Sequence, residues 1–162
     1  MQLHDLEGLY LAELEELRSV EAQMTDHLAE MASQANDNDL SKAIDAHRKQ
    51  TAAQRDELDG LLKARGREVD AHEDTSMHAI INEAEKWNNM IPDETLQDAA
   101  LVASVQRMEH YEIAVLGTLA NWARKLGQGE DEAVLSLILE KTKQADANFS
   151  AIAEDTLNPA LH

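Results

Sequence analysis

Residues 105–119 read VQRMEHYEIAVLGTL and predict a helix with acidic groups on its apolar face. Spacings of three and four residues separate Val105, Glu109, Glu112 and Leu116. Such spacings place these residues on one side of an α-helix. Two carboxylates therefore lie one turn apart among aliphatic neighbours. Burying a charge costs on the order of several kcal/mol unless a partner or a metal compensates, so this side is expected to meet compensating groups.

Polar residues also interrupt the apolar stripes of the other long helical segments, each near its midpoint. In the first segment Glu21 lies in register with Leu17 and Met24. The remaining interruptions are His47, Gln50, Thr51 and Gln54 in the second segment, and Thr142 and Asp146 in the last. Four helices meeting at one level would gather carboxylates and an imidazole, and a pair of divalent cations would satisfy such a site.

Each interruption also has an ordinary interpretation when taken alone. A single glutamate on a stripe, such as Glu21, is more often a boundary residue that reaches water. A single core histidine such as His47 is more often simply hydrogen-bonded, and Thr51 and Gln54 are compatible with a wet part of the core. The coincidence at one level in four helices favours a metal site over separate accidents.

Long helices are the expected secondary structure, because the chain is rich in Ala, Leu and Glu and has only two prolines and six glycines. Apolar spacing predicts a first helix over 3–35 and, in the middle of the chain, a short helix over 76–90 with Ile80, Ile81 and Trp87 on its apolar side. The other long helices are expected from a cap at Asp39 or Ser41 to near Gly66, from a cap at Asp93 or Thr95 to Gly127, and from there to about Asp155.

The lengths of the connections predict the topology. Joins of a few residues near 36–39 and 127–129 force antiparallel neighbours, because a short loop cannot travel the length of a helix. The middle connection is long enough to cross the bundle. The chain is therefore expected to form an all-α, ferritin-like four-helix bundle, built as hairpin, long crossover with a short extra helix, and hairpin, in a single domain over 1–162. The alternative is an extended antiparallel coiled coil.

The composition narrows the classes of partner and chemistry. Thirty-two acidic residues against 14 basic ones give a formal charge of −18, which repels nucleic-acid phosphates and anionic lipid headgroups. We expect neither nucleic acid nor membrane as a direct partner. The chain has no cysteine, which excludes disulfides and thiol catalysis. The N-terminal segment lacks the basic region of a targeting peptide, and a cytoplasmic location is expected by default.

Surplus apolar residues predict self-association. Leu6, Leu9, Val102 and Trp122 lie off the main stripes, and apolar surface in excess of one core usually marks a partner site. We therefore expect a homodimer formed by the sides of two bundles.

The remaining histidines are expected to lie outside the core site. His110 adjoins Glu109 but points roughly 100° away around the helix. The others show no ligand spacing and are expected at the surface; they are His4, His27, His72, His78 and His162.

The hexapeptide EHYEIA at 109–114, followed by Gly117-Thr118-Leu119, resembles the third helix of a known family. It is similar to the YciE/YciF-like bacterial proteins, which are stress-associated members of the ferritin-like superfamily. Further matches are Asp5-Leu6, Tyr10, Glu21, His47, Thr51, Asp98 to Leu101, Lys143 and Asp146, so the resemblance spans nearly the whole chain. It implies a ferritin-like bundle, commonly dimeric, with a dinuclear metal centre related to that of rubrerythrins.

The resemblance also implies a set of metal ligands. Glu21 matches the first-helix carboxylate, Glu109 the bridging ligand and Glu112 its neighbour one turn on. His47 matches in the second helix, where Gln50 stands at a position often held by Glu. In the last helix Asp146 is kept, and Thr142 replaces an expected Glu. The implied cofactor is one or two iron ions, or another divalent metal.

Three functions follow as hypotheses. The leading one is a non-storage, ferritin-like stress protein with a degenerate di-metal carboxylate site, because the loss of two carboxylates weakens affinity for a second ion. The alternative is a structural or interaction bundle that has lost metal chemistry. The third is an active di-iron oxidase or peroxidase.

Overall fold

The computed structural model describes residues 3–162, and all regular secondary structure in that range is helical. Its α-helices are α1 (Leu6–Gln34), α2 (Asn38–Ala64), α3 (Thr75–Met90), α4 (Glu94–Lys125) and α5 (Gly129–Ile152). A π-helical turn, Ala153–Leu157, and a 3₁₀ turn, Asn158–Ala160, follow α5. None of the described helices is both long and apolar enough to cross a membrane.

The helices pack as two antiparallel hairpins, α1 with α2 and α4 with α5, and α3 lies in the crossover against α4 and α1. The hairpin loops are only a few residues long, whereas residues 65–93 connect the two hairpins. This arrangement confirms the ferritin-like bundle with a short extra helix in its crossover.

Aspartates start four of the helices, and they correct three of the expected boundaries. Asp5 accepts a hydrogen bond from the Gly8 N–H at 2.8 Å, so α1 begins at Leu6, and Leu3 lies outside it, 44% exposed. Asp74 likewise caps α3, which begins at Thr75, one residue earlier than expected. Asp93 caps α4 as the sequence indicated.

The cap of α2 is Asp37, neither Asp39 nor Ser41 as expected. The Asp37 carboxylate accepts from the Leu40 N–H at 2.8 Å, which places Asp39 inside the first turn. Ser41 is already helical, and its hydroxyl donates to the Ala32 carbonyl of α1. Buried Asp98 of α4 fixes this register, because its carboxylate accepts from the backbone N–H of Asp37 at 2.8 Å.

The helices α4 and α5 end where the backbone changes its conformation. Gly127 has a φ of 71°, a left-handed conformation that glycine adopts without steric cost, and the chain turns there into α5. The last helix ends at Ile152, a few residues before the expected Asp155, because the backbone widens into the π turn. That turn carries Leu157 into the core.

Two apolar clusters fill the bundle, one toward each end. The cluster near the α1–α2 loop contains Val20, Met24, Leu28, Met31, Leu40, Ile44, Met77, Leu101, Val102, Val105, Met108, Phe149 and Leu157. The other contains Tyr10, Leu14, Leu17, Leu58, Leu62, Val115, Leu116, Leu119, Ala120, Ala123, Leu135 and Ile138. The polar midpoints of the helices therefore lie between two separate apolar regions.

Two apolar side chains differ from expectation. Val102 is only 2% exposed and belongs to the core, because α4 is covered by neighbours on more than one side. It contributes no surplus surface. Trp87 is 41% exposed, since the buried side of α3 is formed by Met77 and Ala84. The Lys86 ammonium lies 5.2 Å from the centroid of the Trp87 ring.

Candidate metal centre

A layer of buried polar side chains crosses the bundle between its two apolar clusters. The layer consists of Glu21 from α1, His47, Thr51 and Gln54 from α2, Glu109 and Glu112 from α4, and Thr142 from α5. Glu21, Glu109, Glu112 and Thr142 have no solvent exposure, and His47 of α2 is 3% exposed. The apolar stripes of α1, α2, α4 and α5 each turn polar near the midpoint of the helix. These polar midpoints thus meet at one level of the bundle.

One half of the layer is a hydrogen-bonded network around Glu112. Its Oε1 accepts from the Thr142 hydroxyl at 3.0 Å and from Gln54 Nε2 at 3.2 Å. The same Gln54 nitrogen lies 3.4 Å from Glu21 Oε2. Gln54 therefore bridges the two carboxyl groups, although sequence analysis treated it only as a feature of a wet core. Its spacing of two turns from His47 on one stripe was the available signal.

Gln50 positions Gln54 instead of joining the carboxylates. It is half-buried, and its Nε2 donates to Gln54 Oε1 at 3.0 Å. With its oxygen occupied in this way, Gln54 presents its nitrogen to Glu21 and Glu112. The resemblance placed Gln50 among the ligands, whereas in the structure Gln50 contacts Gln54 and has no hydrogen bond to the carboxyl groups of the layer.

The other half of the layer is the pair formed by His47 and Glu109. His47 Nε2 lies 3.2 Å from Glu109 Oε1, but the orientation of the two groups does not make a hydrogen bond. Phe149 packs against the imidazole edge-on, with ring centroids 5.8 Å apart. Thr51, the third buried polar residue of α2, donates its hydroxyl to the His47 carbonyl at 2.9 Å and holds that turn of the helix.

Burial dominates the electrostatics of the layer. It raises the pKa of Glu109 to about 9, with further contributions from the charges of Asp146 and Glu112. Burial also raises the pKa of Glu21, to which the neighbouring Glu112 adds, and it raises the pKa of Glu112. The pKa of His47 is lowered to about 4 by burial, so its imidazole is neutral. Without a cation, Glu109 therefore holds a proton at neutral pH.

Several donor atoms in the layer have no hydrogen-bond partner, which tests whether a metal fits. Buried atoms without a partner in residues 3–162 include Glu21 Oε1, both ring nitrogens of His47, both oxygens of Glu109 and Glu112 Oε2. Unsatisfied buried polar atoms are rare in proteins and call for an explanation. No ion pair in this part of the chain brings Lys or Arg to these carboxylates. Carboxylate oxygens and imidazole nitrogens suit a divalent cation, so the residues fit.

The layer is nevertheless not a closed shell around one ion. Within residues 3–162, only His27, Glu30 and Glu85 form a group of three acidic or histidine ligands whose donor atoms all lie within 4.8 Å. The donors of the layer instead form two pairs, Glu21 with Glu112 and His47 with Glu109.

Asp146 lies at the rim of the layer. Its carboxylate accepts from Gln106 Nε2 at 3.1 Å and pairs with His110 Nε2 at 3.1 Å. The Asp146 side chain is 20% exposed and that of His110 is 66% exposed. His110 thus stays out of the carboxyl layer, as its direction on the helix indicated, but it holds a residue that the resemblance assigned as a ligand.

A groove of about 240 Å³ between α2 and α5 leads to the layer. Small side chains, Ala43, Ala46 and Ala145, line it together with His47 and Gln50. The two helices have few contacts with each other, and the buried imidazole of His47 forms part of the wall of this groove.

A band of buried carboxyl and imidazole groups across a hairpin–crossover–hairpin bundle is typical of the ferritin-like proteins. Within that class, the chain belongs to the family described as "Domain of unknown function (DUF892)", whose model matches residues 5–162. Over 159 residues it is 30% identical to Protein YciF of Escherichia coli strain K12, covering 98% of this chain and 96% of that protein.

Solved structures agree with this assignment. The fold is similar to the crystal structure of the E. coli stress protein YciF, with a TM-score of 0.90 at 30% identity, over 96% of this chain and 99% of that one. It is also similar to YcfI of Rhodopseudomonas palustris, with a TM-score of 0.90 at 34% identity, over 94% of this chain and 97% of the other. The YciF-like resemblance read from the EHYEIA segment is confirmed.

Proposed function

We propose that this protein is a ferritin-like, stress-associated protein of the cytoplasm that binds a divalent metal in the polar layer of its bundle. Glu109 and His47 would hold the ion together with Glu112, and Glu21 would complete the set. The proposal extends to this chain the stress association in the description of E. coli YciF.

The observation that carries the proposal is the set of unsatisfied donor atoms. Glu109 has two buried oxygens and His47 two buried nitrogens without a hydrogen-bond partner. A buried donor or acceptor left unpaired costs about 1–3 kcal/mol. A single cation between the two donor pairs would satisfy several of them at once and would favour the ionised carboxylates that burial otherwise disfavours.

The ligand types narrow the choice of metal. Three carboxylates and one imidazole suit Fe²⁺, Mn²⁺ or Zn²⁺, and the absence of sulfur ligands disfavours soft ions. When bound, iron or manganese would supply one-electron chemistry, which zinc would not. The chain's own residues would orient the donors: Gln50 turns the Gln54 amide so that its nitrogen faces Glu21 and Glu112.

Elemental analysis of freshly purified protein, followed by titration of the metal-free chain with Fe²⁺ under anaerobic conditions, tests the proposal. Glu109→Gln removes the ligand charge and keeps the side-chain shape, so we expect it to lose most of the core affinity. Glu140→Gln on exposed α5 surface is the matched control and should bind as the wild type does. Metal at a hundredfold above its Kd should stabilise the wild type by about 2.7 kcal/mol. Equal binding by both variants, or none by the wild type, would contradict the proposal.

The second candidate is a structural bundle without metal chemistry. Its support is the hydrogen-bonded half of the layer, in which Gln54 and Thr142 satisfy Glu112 without an ion. Protonation of Glu21 and Glu109, which their raised pKa values favour, would remove the remaining charge. For this candidate, Glu109→Gln should leave the melting temperature unchanged or raise it, with and without added metal.

A further inference from the structure

A second cluster of metal-ligand side chains lies away from the polar layer, where α3 crosses α1. His27 and Glu30 are one turn apart on α1, and Glu85 comes from α3. His27 shows no ligand spacing in the sequence and was expected at the surface, but it is 6% exposed. Glu21 and His27 are separated by six residues, about 9 Å along the axis and roughly 120° around it, so the two clusters are distinct.

The spacing of the donor atoms is that of ligands around a common ion. His27 Nδ1 lies 3.6 Å from Glu30 Oε2 and 3.9 Å from Glu85 Oε1, and all three donor atoms lie within 4.8 Å of one another. These separations exceed hydrogen-bond lengths. Ligands bound tetrahedrally at about 2.0–2.1 Å are roughly 3.4 Å apart, so small side-chain adjustments would close the set on a cation.

The histidine supplies evidence that the carboxylates alone would not. Its side chain is more than nine-tenths buried, and its Nδ1 lies 3.6 Å from Glu30 Oε2 and 3.9 Å from Glu85 Oε1, so one imidazole nitrogen faces both carboxylates. Burial lowers the pKa of His27, more than the two nearby carboxylates raise it, which keeps the imidazole neutral and its lone pair available.

The surroundings of the cluster favour a cation as well. The three residues line an open groove of about 240 Å³, together with Asp26, Glu73 and Ile81. No lysine or arginine lines this groove. His78 also lines the groove and pairs with Glu73 at 3.5 Å, and the other charged side chains of the lining are acidic. Mainly acidic walls raise the local concentration of cations, and the open side leaves room for a water molecule in the fourth position.

We propose that His27, Glu30 and Glu85 form a second divalent-metal site, of the Zn²⁺ type, that fastens the crossover helix to α1. The site would add to the few buried contacts of α3, of which only Met77 and Ala84 are fully buried. It goes beyond the proposed function, since its ligands share no residue with the polar layer. An ordinary surface pairing of a histidine with two acids is the competing explanation, and it predicts no bound metal.

Zn²⁺ titration of the metal-free, full-length chain against a chromophoric chelator tests the site. Glu85→Gln should bind one Zn²⁺ fewer than the wild type, or bind it at least about tenfold more weakly. Glu83→Gln is the matched control, because Glu83 lies on the same helix, is exposed and pairs with Lys86. It should bind as the wild type does.

Hydrogen exchange supplies a second readout. Zn²⁺ should slow exchange across 75–90 in the wild type and in Glu83→Gln, and it should not do so in Glu85→Gln. Glu109→Gln should keep this protection, which separates failure of the core site from failure of this one. Identical Zn²⁺ binding by wild type and Glu85→Gln, or no protection of α3 in the wild type, would overturn the proposal.

Discussion

Thr142 is the residue at which the chemistry of the polar layer can be changed most directly. Its hydroxyl donates to Glu112 Oε1 and also lies 3.0 Å from the Ile138 carbonyl, so it occupies the centre of the layer without offering a charge. A hydroxyl is a poor ligand for a divalent ion beside carboxylates. If the layer binds metal as proposed, this position would limit the number of cations that it holds.

Replacing this residue should strengthen the metal site. We expect Thr142→Glu to raise the metal bound per chain, with ferrous oxidation as an accompanying gain, because a further carboxylate would face Glu112 and Glu21. Elemental analysis and thermal unfolding measure the two effects. Thr142→Gln, similar in size but uncharged, is the control and should bind no extra metal. If the glutamate variant loses several kcal/mol of stability and gains no metal, these midpoints do not form a dinuclear site.

Glu109 should make the stability of the metal-free protein depend on pH. Its pKa is about 9 in the folded chain and near 4.5 when unfolded, so the folded state keeps a proton that the unfolded state releases. The contribution of Glu109 to the free energy of unfolding is fully present below about pH 4.5, and it is lost as the pH rises toward 9. The loss reaches about 1.4 kcal/mol per pH unit.

Chemical denaturation of metal-free protein at a series of pH values between 5 and 9 measures this dependence. Glu109→Gln should show a shallower decline than the wild type, because its amide does not titrate. Saturating metal should remove the decline in the wild type, since a bound cation favours the carboxylate. Parallel curves for the two proteins would mean that Glu109 is ionised in the folded state.

At the scale of the element, α3 depends on its N-terminal cap. Buried Asp74 accepts from the Met77 N–H at 2.5 Å and from the Tyr111 hydroxyl at 2.8 Å, and its own N–H donates to Ser19 at 2.9 Å. One aspartate thus joins the crossover helix to α4 and α1. Asp93 caps α4 with only the Leu96 N–H and is exposed.

The two caps form a matched pair of predictions. Asp93→Ala should cost about 1 kcal/mol of stability, the usual value for a lost cap. Asp74→Ala should cost more, about 2–4 kcal/mol, because it also removes the hydrogen bonds of the buried Asp74 with the half-buried Tyr111 hydroxyl and with Ser19. Urea denaturation gives both values, and hydrogen exchange should report faster opening of 75–90 in Asp74→Ala alone. Equal costs would show that the contact with Tyr111 adds nothing.

At the scale of the molecule, the acidic surface and the apolar positions outside the core bear on assembly. Four apolar residues off the main stripes were expected to leave surplus apolar surface. Val102 is buried and leaves none, whereas Leu6, Leu9 and Trp122 are half-buried. We propose that the protein is a homodimer formed through this side of the bundle.

Light scattering at micromolar concentration tests the dimer. Leu9→Lys should shift the mass toward the monomer, because a charge would be placed in the contact. Ser136→Lys, on exposed surface of α5, adds the same charge elsewhere and should leave the mass unchanged. A wild-type monomer, or a cage of many subunits, would contradict the proposal.

The amino-acid sequence determined the architecture of this protein and the level of its candidate site. Loop lengths and the three-and-four spacing of apolar residues are local properties, so the two hairpins and the crossover could be predicted from them. The same spacing located Glu21, His47, Glu109 and Glu112, because a residue on an apolar stripe must face the core. The EHYEIA segment indicated the family by its resemblance to the third helix of the YciE/YciF-like proteins, which is a match of residues and not a consequence of spacing.

Only the tertiary structure decided which of these polar groups meet. Periodicity assigns a side chain to one side of its helix, but the rotation of one helix against another decides whether Gln54 or Gln50 reaches Glu112. The same rotation leaves Asp146 at the rim with His110 and buries His27 under the crossover helix. Partners distant in sequence also determine the hydrogen bonds of Asp37, Asp74 and Asp98. A pattern along one chain does not contain distances between helices, and these distances decide where charges are compensated.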